Sequence, residues 1–419
     1  EYIDFVEYDE LNGFFTNLNL KDIEESNKIT NNPYGGWYSV SNEQLKEIDL
    51  LYTEENLETL KNWAVIDYVK SNSYVFAMEY SKLQKYIVPQ GDVNQFAAAF
   101  IANSEILGDV VSQLYVEIAY DEEADAKLRS LIDDIIEGYR VKINSADWLS
   151  EDSKKNLIQK LDNMIVFTAK DIDPDKLDKD LAGCFTGNYW ESQEKIDELY
   201  EKKNLEKIGQ LNDRIDVSMP MHMVNACYTS LNTINITLAI QSAPFFDKNA
   251  PYATNLGGLG VVIGHEIGHG FDSNNIVFDM DGKYNPEWLD ADDVKTLEER
   301  NKVAVDYFET AFKVYEIYTV DGELTLGENY ADLGGMEVCV SLIDKDEDYD
   351  AFFRNYATIW ASLSTIDDLK TQLKFDVHSP AYIRVNSVLA NIPEFYETYD
   401  IKDGDKMYIA PENRIGRWN

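Results

Sequence analysis

Residues 261–274 read VVIGHEIGHGFDSN, which places His265 and His269 four apart with Glu266 directly after the first. On an α-helix, positions four apart share a face, so both imidazoles reach one ion from the same side. Glu266 flanks that face, where a carboxylate takes a proton from a water held on the ion. His-Glu-x-x-His in this register binds Zn²⁺, and the metal makes its water a nucleophile near neutral pH. The chain holds only 4 histidines in 419 residues, so chance produces this spacing on the order of once in a hundred such chains. The plainer alternative is a core helix that contains two histidines.

A catalytic zinc takes a third protein ligand and keeps one position open. Two acids compete for that role. Glu287, in "NPEWL", sits beside a turn with no companion acid at helical spacing. Glu328, in "LGENYADLGG", has Asp332 four residues on, so a helix puts both on one face. Glu328 is the better candidate: it can bind the ion while Asp332 accepts the free ring N–H of a zinc histidine and fixes its tautomer. Asp272, three residues after His269, is a second such partner; its alternative is a plain turn former at a helix end.

These residues need a scaffold. At 44% hydrophobic and 12% aromatic the composition is globular, and the length suffices for two or three domains. The balance of 37 basic to 77 acidic residues leaves a net charge of −40, which repels phosphate backbones and excludes nucleic acid as a partner. Cys184, Cys227 and Cys339 are scattered and make neither a disulfide framework nor a cysteine metal cluster. No apolar run reaches membrane-spanning length. The chain begins with Glu1 and shows no signal-peptide pattern, so a targeting segment is expected to be removed or absent.

Along the chain, "NNPYGG" (31–36) signals a turn, and 55–165 reads as helical. Leu128, Leu131, Ile132, Ile135 and Tyr139 form one stripe; Leu157, Ile158, Leu161 and Ile165 form the next, with Ser150 as N-cap. From about 213 the texture changes: "RIDVSM" and "VNACYTSLNTINITLAI" suit strands, and Asp281-Gly282 suits a turn. The expected class is mainly α with a small β-sheet (α+β). A mostly helical second domain is expected over about 1–210 and the domain that carries the motif over about 211–419.

Four segments, "VNACY", "GHEIGHGFD", "GENYADLGG" and "VHSPAYIRVN", occur in the order and at intervals similar to those of the neprilysin-like (M13) zinc endopeptidases. That family includes endothelin-converting enzymes and bacterial oligopeptidases. The resemblance is dense over 215–419, and 100–165 resembles the helical region that precedes the catalytic part. It implies a helical lid in 1–210 and a zincin-type catalytic domain in 211–419, with one Zn²⁺ per chain on His265, His269 and Glu328 and with Glu266 as base. It implies Asp332 as the acid supporting a zinc histidine, His378 as stabiliser of the oxyanion, and Arg384 as holder of a substrate carbonyl. Asn225 and Ala226 match the edge strand that pairs with substrate backbone. Phe245, Val261 and Val262 match the pocket for the side chain just after the cut bond.

The expected substrates are therefore oligopeptides cut before bulky apolar residues. Departures accompany the match. Ser242 and Ala243 stand where a glutamine and a proline are usual. Gly416 lies where a closing cysteine is usual. The first hundred residues align poorly with the family's longer chains, so part of its helical lid is expected to be missing. The rivals are a catalytically silent binding protein of the same fold and a thermolysin- or aminopeptidase-type peptidase using Glu287. Relatives are cell-surface, secreted or, in bacteria, cytosolic; the surface or exterior is favoured. The "NIT" sequon at Asn235 falls within an expected strand, which argues against glycosylation there.

Overall fold

Helices joined by a few short strands make up the computed structural model, which describes residues 4–27, 29, 36–39, 41–71, 105–172, 179–208, 210, 214, 219–344 and 348–418. Most of the turn expected at 31–36 and of the strand expected at 214–219 lies outside the described residues. The chain forms two compact units, Glu1–Asp109 with Asp175–Asp213, and Val110–Pro174 with Arg214–Asn419. A single cut near 210 thus marks the change of texture but not the units. The first unit carries an antiparallel ribbon of Asp4–Glu7 with Gly36–Ser39 and a small core of Val6, Leu11 and Leu20. Its Asp49 is buried because its carboxylate accepts the backbone N–H groups of Thr16, Asn17 and Leu18 at 2.7–3.1 Å.

The second unit holds the candidate site. Its first long helix, Glu122–Ser145, starts at Asp121, whose carboxylate accepts from the N–H of Ala124, with acids in the first turn facing the positive end of the helix dipole. Leu128, Leu131, Ile132, Ile135 and Tyr139 form its buried stripe. The next helix, Glu151–Asp162, starts at the expected cap, Ser150. Leu157 and Leu161 are buried as expected, but Ile165 leaves the helix. Asn163 ends the helix, and Ile165–Phe167 pairs in parallel with Thr233–Ile236. Ala226–Thr229 pairs antiparallel on the other side of Thr233–Ile236, giving a three-stranded sheet with Ala226–Thr229 at an edge. Asn235 lies in the central strand and is fully buried.

Two helices cross at the heart of this unit: the motif helix, Val261–His269, and the carboxylate helix, Leu326–Ser341. Small residues set how near they come. A methyl group on Gly335 would stand 2.6 Å from the backbone carbon of Gly264, and one on Gly268 would meet Ala331 Cα at 3.1 Å. Gly264 and Gly268 of the motif are therefore contact points where one backbone lies on another. Tyr139 closes the rear of the crossing: it is fully buried, and its hydroxyl donates to the carbonyl of Gly264 at 2.5 Å. After the motif helix, the chain turns at Asp281-Gly282, where Gly282 has φ 76°.

Candidate metal centre and active site

The imidazole Nε2 atoms of His265 and His269 face each other at 3.0 Å. Each ring is held from behind by a carboxylate. His265 Nδ1 donates to Asp332 Oδ1 at 2.7 Å, and His269 Nδ1 donates to Asp272 Oδ2 at 2.7 Å. Both protons therefore sit on Nδ1, and both Nε2 atoms point at the same space. Asp272 is itself fixed, since Oδ1 accepts the N–H groups of Asn274 and Asn275 at 2.8 and 2.7 Å. One carboxylate thus bonds the His269 ring and also the backbone of the turn that follows.

Glu328 enters from the carboxylate helix. Its Oε2 lies 3.2 Å from His265 Nε2 and 3.4 Å from His269 Nε2, yet it is buried and makes no hydrogen bond of acceptable geometry. A buried carboxylate oxygen left without a hydrogen bond is costly unless a cation completes its surroundings. The Glu266 carboxylate lies within 4.8 Å of the ligand atoms of both histidines. Glu287, by contrast, is exposed on its loop and is not part of this cluster. Two imidazoles, an unsatisfied carboxylate oxygen and a neighbouring base fit a divalent cation with one side open.

The electrostatics point the same way. Burial alone would lower the pKa of His265, but Asp332 overrides it and the net direction is up. His269 is raised well above the ordinary imidazole value; burial opposes this, and Asp272 and Glu328 outweigh it. Burial would raise Glu328, but the two histidines hold it far below the usual carboxylate range. The pocket thus favours positive charge between its acids, which a divalent ion would supply.

Arg384, on the helix Ala381–Leu389, is placed differently from a residue free to grip substrate. It is buried, and its Nε and Nη2 make two 2.7 Å bonds to the two oxygens of Asp332. Its guanidinium lies 3.9 Å from the centre of the Trp360 ring, a cation–π contact. Burial would raise Asp332, but Arg384 and His265 bring it down to about 2. Arg384 therefore locks the acid that orients His265, and Nη1 makes neither of these bonds. His378 stands at the rim, half exposed, with Nε2 3.3 Å from Glu328 Oε2. Its Nδ1 bonds Asp376 Oδ1 at 2.8 Å. Asp376 and Trp360 are absent from the residues singled out in the sequence; only the Asp-x-His spacing of the former carries a signal.

Asn225 is exposed at the head of the edge strand, and its Oδ1 accepts from the N–H of Ala226 at 2.9 Å. Phe245, Val261 and Val262 pack at the border of the main core, with Val261 buried and the other two partly so.

A HExxH helix, a carboxylate helix crossing it and a small sheet with a free edge define the zincin class of metallopeptidase. Family models for "Peptidase family M13" match residues 5–169 and 225–415, and the chain belongs to that family. The N-terminal match corrects the expectation that the first hundred residues align poorly. The neutral endopeptidase of Lactococcus lactis subsp. lactis is 32% identical over 385 residues, 89% of this chain and 60% of that protein. That of Lactobacillus helveticus is 30% identical, over 89% of this chain and 58% of its own length. The crystal structure of PepO from Lactobacillus rhamnosis superposes with a TM-score of 0.81 at 29% identity, covering 89% of this chain and 60% of that one. A Mycobacterium tuberculosis zinc metalloprotease in complex with an inhibitor gives 0.86 at 25% identity, covering 100% and 66%. This chain therefore spans about 60% of the length of the curated relatives just named.

Proposed function

We propose that this chain carries the active site of a zinc-dependent endopeptidase that hydrolyses oligopeptides on the amino side of bulky apolar residues, with one zinc ion per chain. The observation that carries it is Glu328 Oε2 within 3.4 Å of both imidazole Nε2 atoms, with no hydrogen bond of its own. His265, His269 and Glu328 would hold the ion, which when bound acidifies water and polarises a carbonyl. Glu266 accepts the proton of the attacking water and passes it to the departing amine. His378 Nε2, on the rim, donates to the carbonyl oxygen as it becomes negative. Asp332 and Asp272 keep the two imidazoles in one tautomer, Arg384 keeps Asp332 in place, and Nη1 of Arg384 is left for a substrate carbonyl. Asn225 and Ala226 pair with the peptide backbone along the open strand edge. Phe245, Val261 and Val262 receive the apolar side chain that follows the cut bond.

The test is a quenched fluorescent peptide library on purified chain, with chelator, after zinc is restored, and with cleavage positions read by mass spectrometry. Cleavage lost with chelator and regained with zinc, at bonds preceding bulky apolar residues, is expected. A zinc-loaded chain that cuts nothing, or cutting indifferent to chelator, sinks the reading.

A further inference from the structure

His378 is half exposed and sits on a loop, yet its contribution depends on where its Nε2 stands relative to Glu328. Asp376 sets the ring's rotation, but Asp376 belongs to the same loop and cannot set the loop's position. The neighbours of the two site residues do that. Ser379 follows His378, Asn329 follows Glu328, and both are almost wholly buried. Ser379 Oγ donates to Asn329 Oδ1 at 2.8 Å. Asn329 Nδ2 donates to Thr325 Oγ1 at 2.9 Å, and Thr325 Oγ1 donates to the carbonyl of Asp321 at 2.8 Å. Ser379 starts the line as a donor, Asn329 and Thr325 each accept once and donate once, and the line ends on a backbone oxygen. The terminal acceptor fixes the direction of every bond, including which end of the Asn329 amide faces Ser379.

We propose that Ser379 and Asn329 are positioning residues for the peptidase reaction: their buried hydrogen bond fastens the His378 loop to the carboxylate helix and so sets the reach of His378 over Glu328. This rests on the functional reading above for what His378 does, though not for where it stands. Three features favour it over a merely local bond. The bond joins elements 50 residues apart in sequence. Its two ends are the immediate neighbours of the two residues whose separation matters. On the solvent side, the bond from Gln372 Nε2 to the His378 carbonyl is a longer 3.3 Å and exposed, so it is a weaker brace. Pro380, next in the chain, is the N-cap of the helix that carries Arg384, so the same anchor lies between His378 and Arg384.

The experiment compares Ser379→Ala, Ser379→Thr and Asn329→Ala with the unmodified chain, all loaded with zinc. In Ser379→Ala, kcat should fall about 10- to 100-fold, as for a catalytic donor displaced by about an ångström. KM should change less than about two-fold, and affinity for a phosphinate peptide carrying a tetrahedral oxyanion should fall by the same factor as kcat. Zinc content should match the unmodified chain. Ser379→Thr keeps the hydroxyl and should recover most of kcat, and Asn329→Ala should reproduce Ser379→Ala. A crystal structure of Ser379→Ala should show the His378 ring moved away from Glu328, a result that does not depend on activity. If the ring stays in place and kcat holds, the proposal fails. It fails equally if Ser379→Ala loses zinc or if kcat and KM change together. If the unmodified chain cleaves nothing while the ring still moves in Ser379→Ala, the functional reading falls and the positioning claim stands.

Discussion

At the scale of single residues, the site is a set of carboxylates that assign one job to each imidazole face. Asp332 and Asp272 occupy the Nδ1 sides, so Nε2 is the only nitrogen each histidine offers to the centre. Glu266 and Glu328 share that centre but differ in what binds them. Glu328 lies within 3.4 Å of both imidazoles, whereas Glu266 flanks them. Replacing either should therefore have different results. Glu266→Gln should retain zinc while kcat drops by about 10²- to 10⁴-fold, the usual contribution of a positioned base; turnover near the unmodified rate would remove Glu266 from that role. Glu328→Ala should lose zinc on dialysis, read by elemental analysis, while Glu287→Ala keeps it. Full zinc in Glu328→Ala would mean that another acid completes the site. The placement of Glu266 beside the two histidines, and of Glu328 on one face with Asp332, was legible in the sequence because positions four apart share a helix face. The clamp of Arg384 on Asp332 was not, since the two residues are 52 apart in sequence and only the packed fold brings them together.

At the scale of elements, what holds the site is the closeness of two helices and the loop that follows the first. The crossing at Gly264 and Gly335 leaves no space for a side chain. Gly335→Ala should cost about 3 kcal/mol, the upper end of overpacking penalties, because the obstacle is backbone and not a flexible side chain. A urea midpoint equal to the unmodified chain's would show that the helices can part cheaply. The loop after the motif helix is fastened by donors on the helix Glu151–Asp162 and on Asn163 just past its end. Asn156 donates to the Trp288 carbonyl, Lys160 to those of Asn275 and Phe278, and Asn163 to that of Met280. The sequence showed this helix's apolar stripe but not its donor face, because an amide or ammonium aimed at backbone carbonyls leaves no periodic signature. It also ran the helix three residues too far, since Ile165 fits either a helix stripe or the start of a strand. Lys160 is fully buried, and burial lowers its pKa to about 7 despite the opposing pull of Asp272 and Asp279. Between about pH 7 and the ordinary value of 10.5, the unfolded chain binds a proton here that the folded chain does not. Stability should therefore rise with pH through that window, and the cost of the buried charge should be fully present below it. Comparing urea midpoints at pH 6.5 and 9.5, Lys160→Gln should lack the part of the rise due to this group. An identical pH dependence in both proteins would mean that Lys160 titrates normally.

At the scale of the whole molecule, the family and class follow from short motifs whose order survives in the sequence, whereas the division into units does not. The helices at 122–162 look like part of an N-terminal helical region, but their stripes pack into the core around the motif helix. Texture along a chain reports local composition, and only long-range contacts report which core a helix joins. Net charge is the one whole-molecule property that the sequence states outright, and at −40 it should act on kinetics. A surface potential of one sign speeds the approach of opposite charge by about 10- to 10³-fold, and salt removes the effect as the screening length falls to roughly 10 Å at 0.1 M. Two peptides with the same cleavable core, one flanked by lysines and one by glutamates, separate this from binding in the pocket. With zinc-loaded chain, kcat/KM for the lysine peptide should fall about ten-fold between low salt and 0.2 M, while that for the glutamate peptide rises. Neither kcat should change, because the long-range field acts on encounter and not on the bond being cut. If the two peptides respond to salt alike, the acidic surface serves solubility alone and substrate charge is read only by contacts within the cleft.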